Sequence, residues 1–441
     1  MSEARPDAIV RETQALAAAL QAVALETPDA PLAMLEARVL ATLRETQGRL
    51  LGAVVQANQR SLQAGGAHRR WPCPQCGQRG VLERWGQRSV LTVCGPLTFE
   101  RPWCRCGSCG VGFSPTDETL GLAGRARLSA GVTAWLEEVG VTTSFALGSG
   151  LFERLTGLQV SDETVRQRTE AFGRRLEAEQ AAAAAMVALT REPAGPVDLA
   201  PGQLVVETDG VMVHFVDGWH EVKLMVAGGY LGGKLTAKSF TAARMGPAAF
   251  GPRLLAEAAR RGALDIVAWE GSPLQRRLAV LRKVVVLGDG AHWIWNLAAE
   301  HFGERVEIVD WYHACQHLWE VAKALWGETP RARQWFERQR TILGERGAAP
   351  VRRALAQAKA PAPAAALLLQ RERGYFRTNA ARMAYPAFRA AGYPIGSGEV
   401  ESAARYVIQQ RLKRAGARWS EAGGQAVTNV CCHFATRAAA A

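Results

Sequence analysis

The stretch LVVETDGVMVHF (204–215) decides how this chain is to be read: an apolar run of β type leads to Asp209 and Gly210. A second stretch, VVVLGDGAHWIW (284–295), repeats the pattern, with Val284 to Leu287 wholly apolar before Gly288, Asp289 and Gly290. Each run predicts a buried strand that reaches the surface and hands its aspartate to a cleft. A strand as apolar as 284–287 belongs in the sheet centre, where the carboxyl ends of neighbouring strands meet. A third piece, PIGSGEVESAARYVIQQRLKRAG (394–416), opens a helix that turns basic. Asp209, Asp289 and Glu401 together suit two divalent metals and phosphodiester chemistry, because Mg²⁺ takes few carboxylates and fills its shell with water and phosphate oxygens. Singly, each would be an ordinary turn or surface acid. Their joint placement makes the case.

Glu401 has a competitor in Glu399. Successive helix residues rotate by about 100°, so the two point to different sides. Val400, Ala404, Val407 and Ile408 define the apolar stripe that should face the sheet. Glu401 lies at its edge, with Arg405 one turn further on, whereas Glu399 lies away from it and can favour the helix N-terminus electrostatically. Downstream, Arg405, Arg411, Lys413, Arg414 and Arg418 form a basic track with few acids to offset it, expected to contact DNA backbone.

Composition sets the outer limits. The chain has 441 residues, 48% hydrophobic and 21% charged, which fits folded domains and excludes disorder. Lys and Arg number 53 against 41 Asp and Glu, a formal charge of +12. That excess favours polyanions, although it would suit a ribosomal or membrane-surface protein equally. No apolar run approaches the roughly 20 residues that span a bilayer, and the N-terminus lacks a signal-peptide layout. The expectation is a cytoplasmic, nucleoid-associated protein with no membrane partner. In a reducing compartment its nine cysteines read as metal ligands or buried thiols.

Residues 1–66 have helical spacing and no chemical motif. Residues 67–115 change character: Cys73 and Cys76 in WPCPQCG, and Cys106 and Cys109 in CGSCG, are two C-x2-C knuckles, each followed by glycine. The residues between them read as strands with a turn at Gly95-Pro96, so the segment is expected to be a zinc ribbon holding one structural Zn²⁺. Cys104 is set aside because only Cys106 and Cys109 reproduce the knuckle. Residues 116–180 predict three helices in a helix-turn-helix-like region, the last capped by Ser161 and presenting Arg166, Arg168, Arg174 and Arg175 to DNA. A linker is expected over 181–202.

Residues 203–441 predict an α/β domain. Three short strands with turns at Asp209-Gly210 and Asp217-Gly218 should form a meander. An amphipathic helix follows at 247–262, then strand, helix, strand, giving a mixed sheet with flanking helices and a helical insertion at about 318–392. This layout is RNase H-like. Asp310, His313 and His317 end the last strand and start a helix; His313 and His317 share a face, but with no third ligand nearby a supporting role, positioning metal ligands or a phosphate, suits the stretch better than a zinc site. Trp293 and Trp295 could stack on an unpaired base, although aromatics opening a helix more often pack in the core.

VETDGVMV, LGDGAHWIWNLA, VDWYHACQHL and YPIGSGEVESAARYVIQQRLKRAGARWS resemble the DDE transposases of a group of bacterial insertion sequences, over about 200–435 and the cysteine ribbon. The GSG-x-VES helix is the most specific piece. The resemblance implies an RNase H-like core, Mg²⁺ or Mn²⁺ (two per site), and cutting and joining of element ends, with Asp209, Asp289 and Glu401 as the first, second and third acids. It implies double-stranded DNA partners, both terminal inverted repeats and target, and a homodimer or higher assembly on DNA. The Asp310–His317 stretch is similar to the Cys/His motif of Mutator-like transposases, but Cys315 stands two positions before His317, which departs from that spacing. Two rival expectations remain: an RNase H-like DNA nuclease without strand transfer, and a transposase-derived DNA-binding regulator without catalysis.

Overall fold

A computed structural model of the protein describes residues 7–59, 71–122, 124–267, 278–281 and 283–440. The chain forms two compact units, Met1–Arg168 and Thr169–Ala441. The expected start of the ribbon at residue 67 lies outside the described residues.

In the first unit, helices Ala8–Glu26 and Leu32–Asn58 pack as a pair, clipped by Arg38–Glu26 (2.6 Å) and Arg49–Glu12 (3.1 Å). A four-stranded antiparallel sheet follows in the order β1 (Trp71–Pro72), β2 (Arg79–Thr92), β3 (Gly95–Cys106), β4 (Gly112–Phe113). The β2–β3 turn is tight, pairing Thr92 with Gly95, whose φ of +101° is open only to glycine at low cost. Trp71, Cys104 and Phe113 fill a small core beneath the knuckles. Helices Ala130–Thr142 and Phe145–Thr156 each start at a serine whose hydroxyl accepts a first-turn amide. With Val165 they close a second core around Leu136 and Phe152.

The second unit is built on a five-stranded mixed sheet, order β11-β10-β5-β6-β7. Strands β5 (Gln203–Phe215), β6 (Gly218–Leu231) and β7 (Lys234–Ala243) form an antiparallel meander. Strands β10 (Val284–Gly288) and β11 (Arg305–Val309) add in parallel on the other side of β5. The expected count of three antiparallel strands is right, but their bounds are corrected. No turn occurs at Asp209-Gly210; β5 runs straight through to Phe215. Gly210 lies inside the strand, paired with Lys223 of β6. The third strand, β7, was not expected although Gly232-Gly233, both at positive φ, is a two-residue hairpin signal, nor was a small hairpin of β8 (Leu264–Val267) with β9 (Leu278–Leu281).

Opposite faces of the sheet take different helices. Glu207 faces the helix Gly398–Ala403, while Gly288, level with Thr208 by register, abuts Ile294 of the helix His292–His301. Between β11 and Gly398, the expected insertion is helical throughout its named elements: Trp311–Trp326, Pro330–Arg346, Ala348–Gln357, Pro363–Thr378 and Tyr385–Ala390, with one 3₁₀ turn at Ala380–Met383. No helix among the described residues is long and apolar enough to cross a membrane.

The expected linker over 181–202 is also corrected. The helix Asp162–Thr190 continues through its first half, and Phe172, Leu176, Ala184 and Val187 are buried. From Thr169 onward this helix belongs to the second unit and docks on the helix Glu421–Ala440: Phe172 packs edge-on against His433, and Asn429 donates to the Gly173 carbonyl (3.1 Å) and to Glu177 (2.8 Å). An alanine-rich, polar sequence reads as a linker because it offers little apolar surface; here small side chains are what let two helices touch. A Cβ on Gly173 would fall inside contact distance of the Ala426 backbone, which cannot swing aside as a side chain can. Gly173→Ala should therefore lower stability by about 1–3 kcal/mol despite alanine's better helix propensity, read as a lower midpoint in thermal or urea unfolding.

Candidate metal-binding sites

Among the described residues, ligating side chains gather in two places, one in each unit. In the first, the four knuckle cysteines converge. Sγ of Cys73 lies 3.6 Å from that of Cys109, and Sγ of Cys76 lies 3.5 Å from that of Cys106. A tetrahedron with Zn–S bonds near 2.3 Å has edges of about 3.8 Å, so this spacing can hold a zinc ion. Each knuckle turns back on a backbone bond, Gly77 N–H to Cys73 O (2.9 Å) and Gly110 N–H to Cys106 O (3.0 Å), with both glycines at positive φ. The amides of Cys109 and Ser108 hold the Cys106 thiol down to about 6, readying it as a thiolate. Cys104 stays out of the cluster, fully buried with Trp71 and Phe113.

The second group, Asp310, His313 and Glu401, does not include Asp209 or Asp289, whose places are set by sheet register. In β10, Leu287 is level with Glu207 of β5, and Gly288 is level with Val309 of β11. Carrying both registers forward places Asp209, Asp289 and Asp310 in one row across three adjacent parallel strands, about 5 Å apart from strand to strand. Asp209 is mid-strand rather than at a strand end, and its own Gly210 N–H donates to it (2.7 Å). Burial and the nearby carboxylates Asp289 and Glu401 push its carboxyl up, opposed by the Gly210 amide and His313. Asp289 directly follows β10, as expected, accepting from Ala291 N–H (2.8 Å), and Tyr375 of the insertion donates its hydroxyl to the Asp289 carbonyl (2.8 Å).

Asp310 is the most enclosed member, fully buried. Burial opposes its ionisation, yet bonds from the His313 ring and the Ser397 and His313 amides leave its carboxyl below the usual range. Asp310 and His313 join Glu401 in a group whose ligating atoms lie within 4.8 Å of one another. His313 Nδ1 is 3.1 Å from Asp310 and 3.8 Å from Glu401, and the bond to Asp310 raises its pKa above the ordinary histidine value. The third partner absent from the local sequence thus arrives from a helix some 90 residues on.

His317 does not join this group. It bonds the fully buried Glu372 (2.6 Å) and stacks on Tyr375 at 3.8 Å between centroids. His317 therefore braces the tyrosine that holds the Asp289 carbonyl, a role that tertiary structure supplies and the i,i+4 spacing to His313 concealed.

The choice between the two helix glutamates has a clear structural counterpart. The Glu401 side chain is 43% exposed beside His313, whereas Glu399 pairs with Lys238 of β7 at 2.9 Å, so it does more than favour the helix end. The stripe of Val400, Ala404, Val407 and Ile408 is buried as expected, and the helix widens into a π turn at Ala404–Gln409. Glu207 escaped notice in the sequence because it lies inside a strand. It is 2% exposed and accepts the Val400 N–H at 2.9 Å, tying the start of the Glu401 helix to the strand that carries Asp209. Burial pushes Glu207 up to about 8.

The basic residues divide. Arg405, Lys413 and Arg418 are exposed and Arg414 half-buried. Arg411 is a correction: it is 4% exposed and lies over the Trp419 ring at 4.9 Å, so it packs the interior instead of reaching DNA. On the helix Asp162–Thr190, Arg166 pairs with Glu163 (2.6 Å), Arg174 with Glu170 (3.5 Å) and Arg175 with Glu179 (3.7 Å); Arg168 is half-buried. Arg174 and Arg175 belong to the second unit, so the expected recognition helix is not one surface of one unit. Trp295 is buried under Arg382, and Trp293 sits beneath the Lys223 ammonium.

Compared with known proteins, the sequence matches no family model and no curated protein.

Two outcomes follow from these sites. Purified protein should carry one zinc per chain, and Cys73→Ser should lose it, with a lower unfolding midpoint; full zinc retention in that variant would exclude the four-cysteine site. Glu207 gives a pH signature. The folded wild type holds a proton that the unfolded chain releases between the ordinary glutamate pKa, about 4.3, and the folded value of about 8. Stability from this group therefore falls as pH rises through that window. Glu207→Gln keeps an oxygen for the Val400 amide but carries no proton to lose. In EDTA its unfolding midpoint should drop less than the wild type's between pH 6 and pH 9.

Proposed function

We propose that this chain is a DDE-type transposase with an RNase H-like core, cleaving DNA at insertion-sequence ends and joining the freed ends to target DNA. The reading rests on one feature above the others: the β10–β5 register, paired as far as Leu287 and Glu207, carries Asp289 and Asp209 toward neighbouring positions, while Glu401 groups with Asp310 and His313. The strand order supports it, with an antiparallel meander extended from its first strand by two parallel strands, Asp289 directly after the first of these and Asp209 within β5. The four-cysteine ribbon and the +12 charge suit a protein that grips DNA.

Asp209, Asp289 and Glu401 would hold two Mg²⁺ or Mn²⁺ ions, which supply Lewis acidity and activate water or a 3′-hydroxyl for attack on phosphorus. The surrounding residues position these acids. Glu207 tethers the Glu401 helix, Asp310 orients His313 beside Glu401, and Tyr375 holds the Asp289 turn. The imidazolium favoured at His313 offsets part of the carboxylate repulsion before cations bind. Exposed Arg405, Lys413 and Arg418, with Arg414, would neutralise phosphates, contacts that carry affinity and salt dependence more than sequence. We place end recognition in the ribbon and the helical region after it, and the protein in the cytoplasm on the nucleoid.

Asp209→Ala, Asp289→Ala and Glu401→Gln should each abolish Mg²⁺-dependent cleavage of a plasmid carrying the DNA that flanks the gene. The expected loss is roughly a thousandfold or more, corresponding to ~4 kcal/mol of transition-state stabilisation. DNA affinity should change little. Glu399→Gln loses only its pair with Lys238 and should stay within about tenfold of wild type, by analogy with partly exposed ion pairs. Near-normal cleavage by any of the three variants removes that residue from the site. Cleavage without joined products would favour a nuclease, and DNA binding without cleavage a regulator.

A further inference from the structure

The tip of the β5–β6 hairpin carries an aromatic and basic cavity well away from the carboxylates. Trp219 is 59% exposed, unusual for the largest apolar side chain, and stands directly opposite His214 in the hairpin register. Their rings lie 5.0 Å apart at 37°. The facing wall is the segment Leu412–Arg418, which closes with Trp219 and His214 around a surface cavity of about 340 Å³. This wall is fastened to the hairpin: Val216 N–H donates to the Trp419 carbonyl (2.9 Å), and the Trp419 indole donates to the Leu412 carbonyl (3.0 Å). The Lys413 ammonium lies 5.8 Å from the Trp219 ring centre, and Arg414 and Arg418 complete the charged rim. Among the described residues no acid lines the cavity; the hairpin's own Asp217 is turned to Arg244 (2.6 Å) and His220 (3.1 Å). Gly416, at φ +76°, shapes the floor.

We propose that this cavity binds a single unpaired DNA nucleotide, with its base stacked on Trp219 and its flanking phosphates held by Lys413, Arg414 and Arg418. An exposed indole offers a face to any base, and a cationic rim beside it matches the phosphates on either side. The volume lies at the low end of small-ligand pockets, about 300–1,000 Å³, which admits one base and its phosphate and excludes a duplex. Asp209 lies on the same strand five residues before His214, about 17 Å along it and, by the alternation of side chains, on the opposite face, so the cavity is a surface separate from the carboxylates. The inference deepens the transposase reading and rests on it for the choice of DNA.

The test is binding, with the full chain and in the absence of divalent metal, so that it does not depend on cleavage. Fluorescence anisotropy would compare a labelled oligo(dT) with a labelled duplex for wild type, Trp219→Ala and Trp219→Phe, each checked for an unchanged unfolding midpoint. Trp219→Ala should weaken single-strand binding about tenfold or more and leave duplex binding within about twofold. Trp219→Phe should retain most of the affinity. A 2-aminopurine in the single strand should be quenched by wild type and less by Trp219→Ala. Equal single-strand affinity for wild type and Trp219→Ala, or equal losses on single strand and duplex, would overturn the proposal while leaving the transposase reading intact. Failure of the wild type to bind either DNA would overturn both.

Discussion

Like charges crowded at the end of a sheet repel one another, and in the larger unit that repulsion is imposed by strand register. Backbone hydrogen bonds between β5, β10 and β11 align Asp209, Asp289 and Asp310. The apolar runs beneath them, Leu204–Val206 and Val284–Leu287, are buried and resist any slip. A shift of one residue would turn every side chain of a strand to the opposite face. Burial first, and then the neighbouring carboxylates, push the Asp209 carboxyl up.

What surrounds the acids is arranged to steady them. Asp310 is satisfied by two amides and one imidazole, so it serves as an internal brace more than as a ligand open to solvent. The helical insertion has a comparable part. Tyr375 packs against Gly290, at φ +105°, and bonds the Asp289 carbonyl, while His317 and Glu372 lock the tyrosine from behind. Tyr385, also in the insertion, donates to the Val309 carbonyl at the end of β11 (3.0 Å). Helices that interrupt the sequence between β11 and Gly398 thus buttress the ends of β10 and β11.

The smaller unit solves a different problem. Its four-stranded sheet has a core of only a few large side chains, Trp71 and Phe113 among them. Two short strands at its edges add little burial, and the four cysteines sit where a metal would join both knuckles into one unit. Beside it, Asp117 is buried between Arg88 and Arg101 (2.6 Å each), binding the helix Pro115–Thr119 to the hairpin through charge in place of apolar surface.

Local chemistry was legible in the sequence alone. The C-x2-C-Gly knuckles, the Ser161 cap, the apolar run before Asp289 and the buried stripe beside Glu401 all depend on residues within one or two turns, and the structure places them as read. Tertiary structure decided whatever depends on a distant neighbour. Gly210 reads as a turn until β5 is seen to pair with β6 straight through it. Arg411 reads as a DNA contact until Trp419 covers it, and Glu207 reads as one strand residue among many until the Val400 amide, 193 positions away, bonds to it. The exposed Trp219 became informative only when Leu412–Arg418 was brought against it. Spacing along a chain encodes which way a side chain points within its own element; which partner it meets there is set by sheet register and helix packing, and those are properties of the whole fold.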